Sequence, residues 1–134
     1  MGKSLFATIG LAATVAALAW ALPASAHSHA AKATVVTVTA GKPTEFGFKL
    51  STKTVKAGAV TFKVTNGGAI PHDFTICTKA GTGNTCTVGK KTPMLSGGQS
   101  ATISYTFAKA GMYEFLCSVP GHAAAGMKGQ IKVT

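Results

Sequence analysis

Cys117, His122 and Met127 fall in that order within eleven residues, in Cys117-Ser-Val-Pro-Gly-His122-Ala-Ala-Ala-Gly-Met127. They offer a thiolate, an imidazole and a thioether. A second imidazole, His72, lies 45 residues upstream of Cys117. Two His and one Cys in a trigonal plane, with a weak axial Met, suit a copper ion that cycles between Cu(II) and Cu(I). The sulfur ligands match the softer Cu(I), and imidazole accommodates both states. A site that compromises between them needs little rearrangement when an electron moves. Zinc accepts His and Cys, but Met is not a usual zinc ligand. Each residue alone has a plainer reading. A Met in a loop packs, a His needs no metal, and an odd Cys in an exported chain could join two copies. The conjunction in one short loop, with a suitably placed His upstream, points to a metal.

These side chains must be positioned by strands, because alternation dominates the chain and no segment after the N-terminus has a helical period. Phe46, Phe48 and Leu50 share one face. Val60, Phe62 and Val64 share another, opposite Thr61, Lys63 and Thr65. Phe74 and Ile76, then Ile103, Tyr105 and Phe107, then Tyr113 and Phe115, and finally Ile131 and Val133 follow the same rule. Turn residues separate the runs at Ala40-Gly-Lys-Pro43, Ala57-Gly58, Asn66-Gly-Gly68, Gly81-Thr-Gly83, Ser96-Gly-Gly98 and Ala110-Gly111. The spacing predicts an all-β fold, a single-domain antiparallel Greek-key β-sandwich or barrel of seven to eight strands. Residues 79–98 read as a loop-rich excursion. Strand parity turns His72 inward with Phe74 and Ile76, and Cys117 inward with Tyr113 and Phe115. The two could therefore meet at one end of the sandwich.

The first 26 residues read as an export signal. Lys3 charges the start, Leu5 to Leu22 is uncharged and apolar, and Ala24-Ser-Ala26 ends in a small-x-small cleavage pattern. A retained membrane anchor is the competing reading, because the apolar stretch is close to spanning length. The expected organisation is a signal over 1–26, a flexible tail over 27–32 and one domain over 33–134. Export places the chain, periplasmic or extracellular, where disulfides persist.

Composition narrows the function. Charged residues make up 12% and hydrophobic ones 46%, which excludes a disordered chain. There are 13 Lys, no Arg and three acids, Glu45, Asp73 and Glu114. Three carboxylates leave almost no room for paired-carboxylate catalysis or an all-oxygen calcium cage. The net charge is +10, or +9 once Lys3 is removed with the signal. Such a charge steers a protein toward acidic partners or anionic membrane surfaces, with strong salt dependence. Export, the absence of Arg and the few aromatics speak against nucleic acid.

The stretches Val60-Thr-Phe-Lys-Val-Thr-Asn66-Gly-Gly-Ala-Ile-Pro-His72-Asp-Phe-Thr-Ile and Gly111-Met-Tyr-Glu-Phe-Leu-Cys117 through Met127 resemble the cupredoxins, the blue type 1 copper proteins. Within them the chain resembles the plastocyanin-like and auracyanin-like single-domain members, from about Ala33 to Thr134. The Cys-x4-His-x4-Met spacing is longer than the plastocyanin loop and resembles the auracyanin one. The resemblance implies one copper held by His72, Cys117, His122 and Met127, and a one-electron carrier rather than an enzyme. It implies that redox protein partners dock near His122 on a monomer. Many cupredoxins carry Asn after the first His, where it ties the ligand loops together. Here the residue is Asp73, which when ionised accepts hydrogen bonds but cannot donate them. Asp73 could still clasp the loops by accepting from backbone N–H or from Ser118, and Asn66 could support them through its turn.

Cys77 and Cys86 remain. A disulfide across the Gly-rich excursion would brace the region beside the copper loops by about 2–3 kcal/mol. Two free thiols are the alternative, and pairing of either with Cys117 would remove the copper ligand. Cleavage after Ala26 would leave His27-Ser-His29 at the new terminus, where an amine, amides and an imidazole can chelate Cu(II) weakly. A polar tail is the plainer reading of His27 and His29. A copper carrier or buffer would share the same site, and remains the rival to an electron shuttle.

Overall fold

The structure is a computed structural model that describes residue 2 and residues 32–78, 83–86 and 89–134. The signal segment and the candidate ligands His27 and His29 lie outside the described residues. Ala31–Thr134 forms one compact unit.

Nine strands are present among the described residues: β1 (Thr34–Ala40), β2 (Phe48–Leu50), β3 (Thr54–Val55), β4 (Gly58–Asn66), β5 (Thr75–Cys77), β6 (Gly89–Lys91), β7 (Ser100–Phe107), β8 (Gly111–Leu116) and β9 (Lys128–Val133). They form two sheets, β2-β1-β4-β7 and β3-β9-β8-β5-β6. The β-sandwich expected from alternation is therefore present. The count exceeds seven or eight because β3 and β6 are short strands made by pairing alone. Neither Thr54-Val55 nor Gly89-Lys-Lys91 has an apolar alternation to announce it.

The sheets are also mixed rather than purely antiparallel. β1 runs parallel to β4, with Thr34 opposite Val60 and Ala40 opposite Asn66. β3 runs parallel to β9, with Thr54 opposite Lys132. Alternation fixes which face a residue takes but says nothing about strand direction.

The inward faces follow the sequence pattern. Val36 and Val38 of β1, Val60, Phe62 and Val64 of β4, Ile103 and Phe107 of β7, Phe115 of β8 and Ile131 and Val133 of β9 are buried in one core. Phe74 lies at its centre, with ring centroids 5.4 Å from Phe62, 5.5 Å from Phe115 and 5.2 Å from Phe48. Each buried aromatic contributes roughly 1.5–3 kcal/mol of transfer free energy. The core thus holds β5 and β8 rigidly where they lead into the ligand loops.

One strand assignment fails. Phe46 does not share a strand face with Phe48 and Leu50. β2 begins at Phe48, and Phe46 is 39% exposed in the turn before it. That turn closes against residues 67–71. Gly41 has φ 73°, and a Cβ there would sit 2.5 Å from the Cα of Gly68. Only glycine permits both the conformation and the approach.

Candidate metal centre

His72 follows β4 by six residues and precedes β5 by three. It lies outside any strand, in an isolated antiparallel bridge with Leu95. Its N–H donates to Leu95 O at 3.0 Å, and Leu95 N–H returns the bond at 2.8 Å. Asn66, fully buried at the end of β4, supports both arms. Its Nδ2 donates to Ile70 O and to Leu95 O, both at 2.8 Å, and its Oδ1 accepts from Gly68 N–H at 2.8 Å. The side-chain amide does for this loop what a ladder of backbone bonds does for a strand.

Cys117 follows the last residue of β8 and is buried. Residues 117–127 then fold into a run of turns. His122 N–H donates to Val119 O, Ala125 N–H to Gly121 O and Gly126 N–H to Ala123 O. Met127 N–H donates to His122 O at 2.9 Å, and Cys117 N–H donates to Met127 O at 3.0 Å. The loop therefore ends where it began, with Met127 packed against Cys117 and Ala40.

The four side chains converge. His72 Nδ1 lies 3.2 Å from His122 Nδ1, and Cys117 Sγ lies 3.5 Å from the same His122 nitrogen. All three donor atoms lie within 4.8 Å of one another. The 3.2 and 3.5 Å separations suit donors that share one first-row ion at bond lengths of about 2 Å. Met127, fully buried beside Cys117, supplies the thioether. Two nitrogens, a thiol and a thioether form the donor set of a copper centre, so the residues fit the ion. Burial pushes the Cys117 thiol above its ordinary pKa. It lowers the pKa of His122, helped by the neighbouring His72. The imidazole lone pair is thus available at neutral pH, whereas a bound ion must displace the thiol proton.

The copper-binding proteins of the plastocyanin/azurin family match this chain over residues 34–134. The chain belongs to that family. Among curated relatives, it is 35% identical over 97 residues to the copper-resistant cuproprotein CopI of Rubrivivax gelatinosus, covering 64% of this chain and 59% of that protein. The chain thus matches less than two thirds of that relative's length. Among solved structures, auracyanin from Roseiflexus castenholzii is 25% identical with a TM-score of 0.57, covering 75% of this chain and 96% of that one. Rusticyanin from Thiobacillus ferrooxidans is 27% identical with a TM-score of 0.60, covering 77% of this chain and 78% of that one. This cupredoxin binds one copper.

Around the ligands, Asp73 is buried, and its carboxylate accepts from both Ser118 N–H, at 2.6 Å, and the Ser118 hydroxyl. Lys91 Nζ lies 3.8 Å from the same carboxylate. A bond from the residue after His72 to the residue after Cys117 joins the two ligand loops. Asp fills this place by accepting twice. Cys77 and Cys86 form a disulfide with Cα atoms 5.3 Å apart, leaving Cys117 free.

Two residues beside the centre were not legible as such. Glu45 and Phe46 are adjacent in the turn before β2. The His72 Nε2–H donates to Glu45 Oε1 at 3.0 Å. The Phe46 ring meets the His122 ring edge-on, with centroids 5.1 Å apart. In sequence, Glu45 stands out only as one of three acids, and Phe46 reads as a strand residue. The Gly41 and Gly67-Gly68 pair, which allows the two loops to touch, was the available signal.

Proposed function

We propose that this cupredoxin is exported and carries single electrons between redox proteins outside the cytoplasm. The observation that carries this reading is the contrast in exposure among the ligands. His72, Cys117 and Met127 are buried, whereas His122 is partly exposed. The bound copper supplies the one-electron Cu(II)/Cu(I) couple. Four protein donors leave no open position for a substrate, which separates this centre from catalytic metal sites. His122 is then the route by which an electron reaches the surface. Around it stand Phe46 and the small and apolar groups of its own loop, with exposed Ile70 and Met94 on the loops that frame His72. A small apolar patch suits partners that dock weakly and release quickly. The excess of Lys steers acidic partners toward the molecule and permits peripheral contact with an anionic membrane surface. The protein acts as a monomer and does not bind nucleic acid.

A copper carrier or buffer is the second reading, because the Rubrivivax relative is named for copper resistance. Visible absorption, EPR and voltammetry of the copper-loaded protein test both, beside Cys117→Ser. An intense thiolate-to-copper band, lost in the variant, with fast reversible voltammetry and slow copper loss to chelators, supports the shuttle. A protein that surrenders copper to chelators within mixing time and gives no reversible wave supports the carrier.

A further inference from the structure

Only three carboxylates occur in the chain, and one of them, Glu45, is turned onto a copper ligand from a segment that carries none. Its Oε1 accepts from Ala69 N–H at 2.9 Å, from Ile70 N–H at 3.1 Å and from His72 Nε2–H at 3.0 Å. Its Oε2 accepts from Ala69 N–H at 3.1 Å. These donors all favour the ionised carboxyl. A loop staple would need only the two backbone bonds. The third goes to the far nitrogen of an imidazole whose near nitrogen faces Cys117 and His122.

We infer that Glu45 is a positioning residue of the copper centre: its carboxylate fixes His72 in the Nε2-protonated tautomer and its negative charge favours Cu(II) over Cu(I). This rests on the copper reading given above. A proton held on Nε2 leaves the Nδ1 lone pair for the ion, and a carboxylate behind a ligating His makes that nitrogen more basic. A negative charge one imidazole away stabilises the more highly charged ion more strongly. Asp73 adds a second carboxylate from the Cys117 side, so two of the chain's three acids touch the ligand loops. A molecule with a strongly basic surface thus places its few negative charges around the metal. The partner that reoxidises this centre therefore meets a stronger reductant than the same four ligands would make alone.

Glu45→Gln keeps an oxygen where the three N–H groups point and removes the charge. Its expected effect is about a tenfold shift of the Cu(II)/Cu(I) equilibrium toward Cu(I), a rise of about 59 mV for a one-electron couple. Glu45→Leu removes the acceptor as well, and should also mix the His72 tautomers. Ring nitrogen NMR of His72 in the wild-type apoprotein should show the proton on Nε2, a readout that needs neither copper nor a variant. An Nδ1-protonated His72 there overturns the proposal. So does a Glu45→Gln protein that keeps its blue band and potential and loses only thermal stability, which is the signature of a loop staple. A wild-type protein with no blue band instead overturns the copper reading, while the apoprotein tautomer still decides the positioning role.

Discussion

The two histidine loops approach one site from opposite sides and are built in different ways. The His72 loop is held from every direction: by paired backbone bonds to Leu95, by Asn66 beneath Ile70 and Leu95, and by Glu45 behind the ring. The His122 loop is a chain of local turns, anchored at its two ends by Cys117 and Met127, with His122 partly exposed and its ring edge-on to Phe46. One imidazole is part of the frame and the other is part of the surface. The difference assigns them separate tasks within one coordination set. His72 defines where the ion sits, and His122 defines where electrons pass.

Replacing each in turn gives the largest test of that division. His72→Gly should lose the blue band and destabilise the apoprotein by about 3 kcal/mol or more, because it empties a fully buried position and strands the groups around it. Added imidazole should not restore the spectrum. His122→Gly should lose the band but keep the fold, and millimolar imidazole should restore the colour through the exposed opening. Equal rescue of both, followed by visible absorption, would break the distinction.

Asn66→Ala sharpens the same comparison at lower cost. The variant removes three hydrogen bonds at a fully buried position, leaving Ile70 O and Gly68 N–H without their Asn66 partner and Leu95 O with only the His72 N–H. Stability should fall by about 2–3 kcal/mol in urea denaturation. The His122 loop should remain intact, read by its unchanged amide NMR shifts. A change confined to the 117–127 loop would contradict the argument.

The smallest effect lies outside both loops. Glu114 is buried in β8, and that burial raises its pKa above the ordinary 4.5 despite the opposing charge of Lys128. The folded state therefore holds this proton more tightly than the unfolded chain does. The associated stability is present below about the ordinary pKa and is lost as the pH rises through the raised value. Glu114→Gln should be more stable than wild type at neutral pH and should flatten the decline in that window. Thermal melts from pH 4 to pH 8 measure it, and the copper spectrum should not change.

Much of this was readable in the chain itself. The inward parity of Val60, Phe62 and Val64 was readable because a period of two is a local property, whereas Phe74 lies before β5 and every residue of β5 is buried, so alternation does not describe that segment. Three of the four converging side chains were readable because they share one loop; the fourth, His72, was read from strand parity and from the cupredoxin resemblance, and only the resemblance placed it correctly, since His72 lies outside any strand. Asp73 and Ser118 were legible as a clasp because each is next to a ligand. Glu45 was not, because its contact with His72 depends on two distant loops meeting, and the glycines at 41, 67 and 68 mark where a close approach is possible without naming what approaches. Parallel pairing of β1 with β4 was hidden for the same reason. Direction depends on the crossover between strands, whereas alternation depends only on neighbours.

The position of β9 governs when such a centre can exist. It lies between β8 and β3, and its register places Lys132 opposite Thr54 across most of the domain. Contacts of such long sequence separation form late and slowly. Until β9 enters, β3 lacks its neighbour and the 117–127 loop has no fixed far end. Met127 then has no station beside Cys117. The thiol, thioether and imidazole of that loop would then be separate ligands with no fixed geometry. β9 is thus the latch of the metal pocket: Met127 stands at its threshold, and the Met127 carbonyl closes onto Cys117 N–H.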